Sequence, residues 1–151
     1  MSAIRNVPLS FARLVPLALA ALLAAGCAAK GDLPNATPAG THENGMLILT
    51  HADNNRSTEV RVGERIAVRL PANPTTGFTW AIDETNSRLL ALDGTEFTES
   101  TETYVGAKGW RTFTFTASQP GEVALKLKYW RFWEGDASAT ERYAVNLRIL
   151  P

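Results

Sequence analysis

The reactive side chains of this sequence are few and far apart. One cysteine, Cys27, and two histidines, His42 and His51, supply all of its thiol and imidazole groups. A single cysteine excludes an intramolecular disulfide, and it also excludes the multi-cysteine sites that hold zinc or iron–sulfur clusters. The two histidines have no third histidine to complete a metal site. We therefore expect neither a metal nor a cofactor.

Acidic side chains are scattered through segments that are predicted to be exposed. The candidates for a general acid or base would be Glu99, Glu102, Glu134 and Asp136. Nothing in their spacing selects two of them as a glycosidase-type pair. The 15 basic and 15 acidic residues cancel, which argues against a polybasic nucleic-acid-binding protein. The sequence thus predicts a binding protein rather than an enzyme, with no nucleic acid among its partners.

The least ordinary local sequence is a stiff, uncharged segment. It reads Pro71-Ala72-Asn73-Pro74-Thr75-Thr76-Gly77-Phe78. Pro74 fixes its own backbone angle and drives Asn73 toward an extended conformation, whereas Gly77 permits angles that other residues resist. A stiff loop loses little entropy on binding, and an uncharged one takes no ion into a desolvated cleft. The same residues also suit a well-made turn with no further role.

A second segment combines glycines with an aromatic side chain. It reads Tyr104-Val105-Gly106-Ala107-Lys108-Gly109-Trp110. Gly106 and Gly109 allow the backbone to approach a partner closely, or they simply turn a hairpin. The glycine spacing is not that of a phosphate-binding loop.

A third segment is crowded with aromatic rings. It reads Tyr129-Trp130-Arg131-Phe132-Trp133-Glu134-Gly135-Asp136. Because alternate residues of a strand point to opposite faces, one core cannot bury all of these rings, and some must be exposed. Arginine and tryptophan are frequent anchors of binding sites. A cation–π cluster that only stabilises the fold is the alternative.

Strands must position these segments, because the dominant hydrophobic period of the sequence is two. Alternating apolar residues occur in 57–62, 65–70, 78–82, 113–117, 123–129 and 143–149, and no convincing helical pattern appears. Val60 and Val62, for example, are predicted to share an inward face before a turn at Gly63 and Glu64. About seven short strands separated by turns predict an all-β fold, an antiparallel immunoglobulin-like β-sandwich.

Such a sandwich would bring the three unusual segments together. Its strands alternate in direction, so every second connection emerges at the same end. These connections are loop 1 (residues 71–77), loop 2 (residues 104–110) and loop 3 (residues 130–139).

The N-terminal part of the chain has the composition of a processing segment and a linker. An apolar run, 14–26, follows Arg5 and Arg13, and it is too short for the roughly 20 residues of a membrane span. Residues 1–26 resemble a bacterial lipoprotein signal peptide, cut before Cys27, whose thiol is then acylated. Residues 27–44 are rich in Ala, Gly, Pro, Thr and Asn, which predicts a flexible tether and leaves 45–151 as the folded domain.

Over residues 45–151 the chain resembles the chagasin family, whose members are protein inhibitors of papain-like cysteine peptidases. The first signature of that family, NPTTG followed by an aromatic residue, is matched in full by Asn73, Pro74, Thr75, Thr76 and Gly77, and then Phe78.

Two weaker signatures of the family are matched in part. The family's glycine-rich loop before an aromatic strand is similar to Gly106 and Gly109, although Lys108 interrupts the glycines. Its Arg-Pro-Trp motif is similar to 131–133, where Phe132 replaces the usual proline.

The resemblance implies an immunoglobulin-like inhibitor that wedges three loops reversibly into the active-site cleft and is not itself cleaved. Thr75 and Thr76 would lie nearest the catalytic cysteine and histidine of the peptidase. Arg131 and Trp133 would hold one wall of the cleft, and 106–109 would reach the other.

A second class of function stays open at this point. A cell-envelope interaction module could present the same aromatic rings to a glycan or to a surface protein, and loop 1 would then be dispensable. In both cases we expect a monomer attached to the membrane through the lipid on Cys27. Because Ala28 rather than Asp follows Cys27, the resemblance to lipoproteins implies an outer-membrane protein that faces the periplasm or the exterior.

Overall fold

The structure is a computed structural model, and it describes residues 37–104 and 107–151. The predicted signal peptide 1–26, the predicted acylation site Cys27 and Gly106 of loop 2 lie outside the described residues. In the part of the chain that the structure describes, we find no helix with the length and hydrophobicity needed to span a membrane.

Nine β-strands carry the fold of the described residues. They are β1 (Thr41–Glu43), β2 (Met46–Thr50), β3 (Arg56–Arg61), β4 (Arg65–Ala72), β5 (Thr79–Glu84), β6 (Leu90–Tyr104), β7 (Ala107–Ala117), β8 (Gly121–Trp130) and β9 (Glu141–Leu150). The prediction of an all-β fold is confirmed, although the strands are more numerous than the roughly seven expected from the turn signals.

The strands form two sheets, one of five strands in the order β1-β2-β4-β7-β6 and one of four in the order β3-β9-β8-β5. Most neighbours are antiparallel, as predicted, but β2 runs parallel to β4 and β3 runs parallel to β9. The turn at Gly63 and Glu64 carries the chain from β3 in one sheet to β4 in the other. These consecutive strands therefore do not pair with each other, and β3 pairs with β9 instead.

The core lies between the sheets, where the inward residues of each strand meet. The largest fully buried side chains include Leu47, Leu49, Ile66, Val68, Leu70, Phe115, Leu125, Leu127, Tyr143 and Leu147. The prediction for Val62 is wrong: Val60 is 2% exposed, whereas Val62 is 42% exposed. The reason is that β3 ends at Arg61, and Val62 already lies in the turn between the sheets.

A buried carboxylate fastens the chain ahead of β2. Asp53, only 5% exposed, accepts hydrogen bonds from the backbone N–H of Gly40 at 2.8 Å and of Thr50 at 2.9 Å. It also pairs with the Arg56 guanidinium at 3.0 Å. A buried charge costs little only when it is paired and hydrogen-bonded, and Asp53 meets both conditions.

The folded structure begins before residue 45, the boundary expected from composition. Ala39 is buried, and 41–43 pair with β2 as a short antiparallel strand. Arg56 holds this segment by donating hydrogen bonds to the carbonyl oxygens of Thr37 and Pro38. Small and polar residues predicted a tether here, but their backbone groups have partners in the domain.

Three connections meet at one end of the sandwich. Ala72, the last residue of β4, pairs with Gly109 near the start of β7. Thr79, the first residue of β5, pairs with Trp130 at the end of β8. Loops 1, 2 and 3 are therefore attached to neighbouring strand ends, as the sandwich prediction required.

Candidate functional site

Loop 1 is braced by hydrogen bonds among its own residues. Residues 74–76 form one 3-10 turn, and the Asn73 side chain accepts from the Thr75 N–H at 3.2 Å and from the Thr75 hydroxyl at 2.6 Å. The Thr76 hydroxyl donates to the Asn73 carbonyl at 2.7 Å. Gly77 closes the turn with φ +79°, an angle that favours glycine. The exposed tip 74–76 thus has a defined shape before it meets any partner.

Aromatic residues of the sheet below support this turn. The Tyr129 hydroxyl accepts a hydrogen bond from the Asn73 N–H at 3.0 Å, and the Trp80 indole N–H donates to the Pro71 carbonyl at 2.9 Å. The Tyr129 ring packs against Phe78 and Trp80, with centroids 5.5 and 5.1 Å apart. The two ends of loop 1 are therefore tied to the core of the sandwich.

Arg131 of loop 3 reaches across to loop 1. Its Nε and Nη2 donate to the Thr76 carbonyl oxygen at 3.1 and 3.0 Å. The guanidinium lies over the Phe78 ring, 4.4 Å from the centroid, and Nη1 pairs with Glu134 at 3.2 Å. The predicted neighbours Thr76, Phe78 and Arg131 are thus brought together, with the guanidinium directed at the protein's own loop.

Two exposed aromatic rings project from loop 3. Phe132 is 67% exposed and Trp133 is 58% exposed, and their rings meet edge to face with centroids 5.1 Å apart. Trp133 also covers Gly77, because a Cβ at that glycine would lie 2.7 Å from Trp133 Cη2. An apolar ridge, Phe132 with Trp133, therefore stands directly beside the tip of loop 1.

A closed ring of four charges holds the far side of loop 3. Lys128 contacts Asp136 at 2.9 Å and Asp83 at 3.1 Å, and Arg142 contacts the same two carboxylates at 3.3 and 3.2 Å. The hydrogen bond from Lys128 lowers the pKa of Asp136, and the reciprocal hydrogen bond raises the pKa of Lys128. Asp136 was predicted to be a scattered surface acid, and no local sequence signal shows that it pairs with residues of both β8 and β9.

Ser138 fixes the base of loop 3 from within. Its hydroxyl lies 3.0 Å from the Arg131 N–H, from which it accepts, and 2.6 Å from the Gly135 carbonyl, to which it donates. The backbone that carries Arg131 is therefore held independently of its guanidinium.

Loop 2 is shorter than predicted, because β6 extends to Tyr104 and residues 107–110 already belong to β7. Lys108 is exposed, whereas Gly109 is buried, and a Cβ at Gly109 would clash with the Thr98 carbonyl oxygen and the Phe97 ring. This glycine is needed for the pairing of β6 with β7, which is the hairpin role that the sequence left open. Gly106 lies outside the described residues.

The assembled site presents an uncharged tip beside exposed aromatic rings. Residues 71–78 contain no charged side chain, and the exposed tip is flanked by aromatic rings. Over residues 37–104 and 107–151, no group of three His, Cys, Asp or Glu side chains is arranged to hold a metal.

Comparisons with known proteins identify the class. The sequence model of the chagasin family peptidase inhibitor I42 matches residues 59–147. Chagasin of Trypanosoma cruzi is 32% identical over 105 residues, which are 66% of this chain and 94% of chagasin. These matches define the protein as a peptidase inhibitor, not an enzyme, and the immunoglobulin-like sandwich with its stiff loop agrees with that class. The chain belongs to the chagasin family, as the three loop sequences predicted.

Solved structures show the same fold. The cysteine protease inhibitor EhICP2 of Entamoeba histolytica has a TM-score of 0.60 at 21% identity, covering 68% of this chain and 93% of EhICP2. Amebosin has a TM-score of 0.57 at 26% identity, covering 68% of this chain and 96% of amebosin. The similarity to both solved structures spans nearly their whole length.

Proposed function

We propose that this protein inhibits papain-like cysteine peptidases by placing loop 1 in the active-site cleft. The observation that carries the proposal is the exposed, uncharged turn 74–76, fixed by internal hydrogen bonds and flanked by the Phe132–Trp133 ridge. Family membership supplies the class of inhibitor, and the NPTTG resemblance supplies the class of peptidase.

The geometry explains how such a loop would bind tightly. Because the turn is already formed, little backbone entropy is lost when it enters a cleft. Because the tip carries no charge, no ion is stranded when water leaves. The adjacent ridge adds exposed aromatic area, which is the kind of surface that supplies most of the binding energy in protein interfaces.

We assign the binding surface to the three loops. The residues that would contact the peptidase are Asn73, Pro74, Thr75, Thr76, Gly77, Phe78, Gly106, Lys108, Phe132 and Trp133. Gly109, also predicted as a contact, is buried in the pairing of β6 with β7. Thr75 and Thr76 would approach the catalytic pair, and Trp133 would hold one wall of the cleft. Arg131 would act beside them, and the structure directs its guanidinium at loop 1 rather than outward.

Titration of papain with the purified protein at fixed substrate tests this function. We expect tight, stoichiometric loss of activity, with the inhibitor recovered uncleaved by mass spectrometry. Full papain activity at micromolar inhibitor, in a sample shown to be folded by circular dichroism, would contradict the proposal.

Replacing both loop 1 threonines by glycine separates this function from a cell-envelope binding module. Thr75→Gly with Thr76→Gly should greatly weaken inhibition, because the hydrogen bonds that brace the turn are lost. The matched control is Ser118→Gly with Gln119→Gly in the exposed turn between β7 and β8, at the opposite end of the domain. Equal inhibition by the two double variants would favour the module.

We also propose that the protein is a monomer anchored in the outer membrane through acylated Cys27. The support is the signal-like sequence of 1–26. Cys27→Ser should move the protein from the membrane fraction to the soluble fraction. Retention of that variant in the membrane would rule out the anchor.

A further inference from the structure

The most unusual contact at the loop end joins Arg131 to the Thr76 carbonyl. Two N–H groups of one guanidinium converge on a single backbone oxygen, at 3.1 and 3.0 Å, from a residue 55 positions away. Hydrogen bonds from a charged donor are stronger than neutral ones. The Thr76–Gly77 peptide is thereby oriented from outside its own turn.

The remaining surfaces of the guanidinium are also occupied. One face lies on the Phe78 ring at 4.4 Å, and Nη1 pairs with Glu134 at 3.2 Å. The side chain is only one-third exposed, at 33%. A group used in this way has little capacity left to grip a peptidase, so its main effect must come through loop 1.

The orientation of this carbonyl bears on whether a peptidase could cut loop 1. In cysteine-peptidase cleavage the thiolate adds to the carbonyl carbon, and the oxygen becomes an oxyanion that must reach donors of the peptidase. The amide nitrogen of Gly77 would take a proton and leave, and water would then release the Thr76 carboxylate. In the free protein this oxygen already accepts two N–H groups of Arg131 on the loop 3 side, so it would have to leave them before it could accept from the peptidase's donors.

We propose that Arg131 is a positioning residue that keeps loop 1 an inhibitor rather than a substrate, by holding the Thr76 carbonyl toward loop 3. This inference rests on the proposed inhibition of cysteine peptidases. The restraint of the Thr76 carbonyl by Arg131, however, can be tested in the free protein. Lysine cannot replace arginine here, because a compact ammonium has no planar fork that directs two N–H groups at one oxygen while its face lies on Phe78.

The test compares Arg131→Ala and Arg131→Lys with the wild type and with Arg148→Ala. Arg148 is an exposed arginine on the outer face of β9, paired with Glu59, so its removal controls for the loss of a surface charge. Amide hydrogen exchange is measured first, on the free protein. The Gly77 amide should exchange about tenfold faster in both Arg131 variants, because charge-assisted hydrogen bonds that restrain the turn are gone. Core amides such as Leu125 report that the fold is intact.

The same four proteins are then incubated with papain and followed by residual activity and intact mass. The wild type and Arg148→Ala should stay whole and inhibitory. The Arg131 variants should lose inhibition with time as the Thr76–Gly77 bond is cut.

The outcomes separate the two proposals. If the wild type fails to inhibit papain, the proposed function fails, and exchange at Gly77 still tests the positioning role. If the wild type inhibits and the Arg131 variants bind less tightly but remain uncut, with Gly77 exchange unchanged, Arg131 is a direct contact and the inference is wrong. Unchanged inhibition, mass and exchange would also overturn it.

Discussion

Gly77→Ala tests whether the packing of Trp133 against loop 1 is required for inhibition. The substitution has two costs that the structure separates. A non-glycine residue at φ +79° loses about 1 kcal/mol of stability from backbone strain. The added Cβ would also lie 2.7 Å from Trp133 Cη2, so the exposed ring must move off the loop.

The effect on binding should exceed the effect on folding. Displacing an exposed ring costs little in the free protein, so we expect a loss of about 1–2 kcal/mol in the free energy of unfolding. If Trp133 is a binding anchor, moving it should cost about 2 kcal/mol or more in affinity, which is roughly a 30-fold rise in the inhibition constant.

Gly45→Ala is the matched control. Gly45 has nearly the same φ, +76°, but a Cβ there would meet nothing within 4 Å. It should show the strain alone, as a similar loss in urea unfolding with no change in the inhibition of papain. If the two variants inhibit papain equally well, the contact between Trp133 and loop 1 has no part in binding and the reasoning is refuted.

Three further changes address the framework around the loops. Tyr143→Phe should raise the free energy of unfolding by about 1 kcal/mol in urea, because the hydroxyl is buried and has no hydrogen-bond partner among the described residues; a loss of stability would show that the hydroxyl is satisfied. Gly109→Ala should lower the free energy of unfolding by about 2 kcal/mol or more, and hence the melting temperature, since its Cβ would clash with the Thr98 carbonyl. An unchanged melting temperature would contradict that packing. Because the hydrogen bond from Lys128 holds the pKa of Asp136 below its ordinary 3.8, its contribution to stability is present above that value and is lost as pH falls through the lowered pKa. Unfolding of Asp136→Asn and wild type should therefore differ at neutral pH and converge in acid; a difference that persists in strong acid would point to another cause.

Loop 1 could be predicted from sequence because its determinants are local. The hydrogen bonds that shape it join Asn73 to Thr75 and Thr76, and the positive φ falls on the glycine that the pattern selected. The alternation of apolar residues was equally informative about faces, since each strand buries one side against the core.

The partners of the loops could not be predicted, because they are distant in sequence. Arg131 and Thr76 are 55 positions apart, and Asp83 and Arg142 are 59 apart. A motif shows that an arginine is present, but only the fold shows what its guanidinium contacts.

The strands with which β3 and β4 pair could not be predicted for a different reason. Periodicity shows which face of a strand is buried, but it does not show to which sheet the strand belongs. The turn at Gly63 and Glu64 looks like a hairpin turn, yet it joins strands of opposite sheets and places β3 parallel to β9.

Asp53 and Arg56 attach residues 37–40 to the domain, and this attachment would protect the binding loops from a force applied to the chain that precedes them. Tension on the chain ahead of Thr37 would act first on the hydrogen bonds that Arg56 donates to the Thr37 and Pro38 carbonyl oxygens. It would act next on the bonds that the Ala39 and Gly40 N–H groups donate to the Ser57 carbonyl and to Asp53. Arg56 begins β3, an edge strand, whereas loops 1 and 3 leave from β4 and β8 inside the sheets. A pull at this end would therefore yield at the edge of the sandwich before it shifts the strands that hold the binding loops.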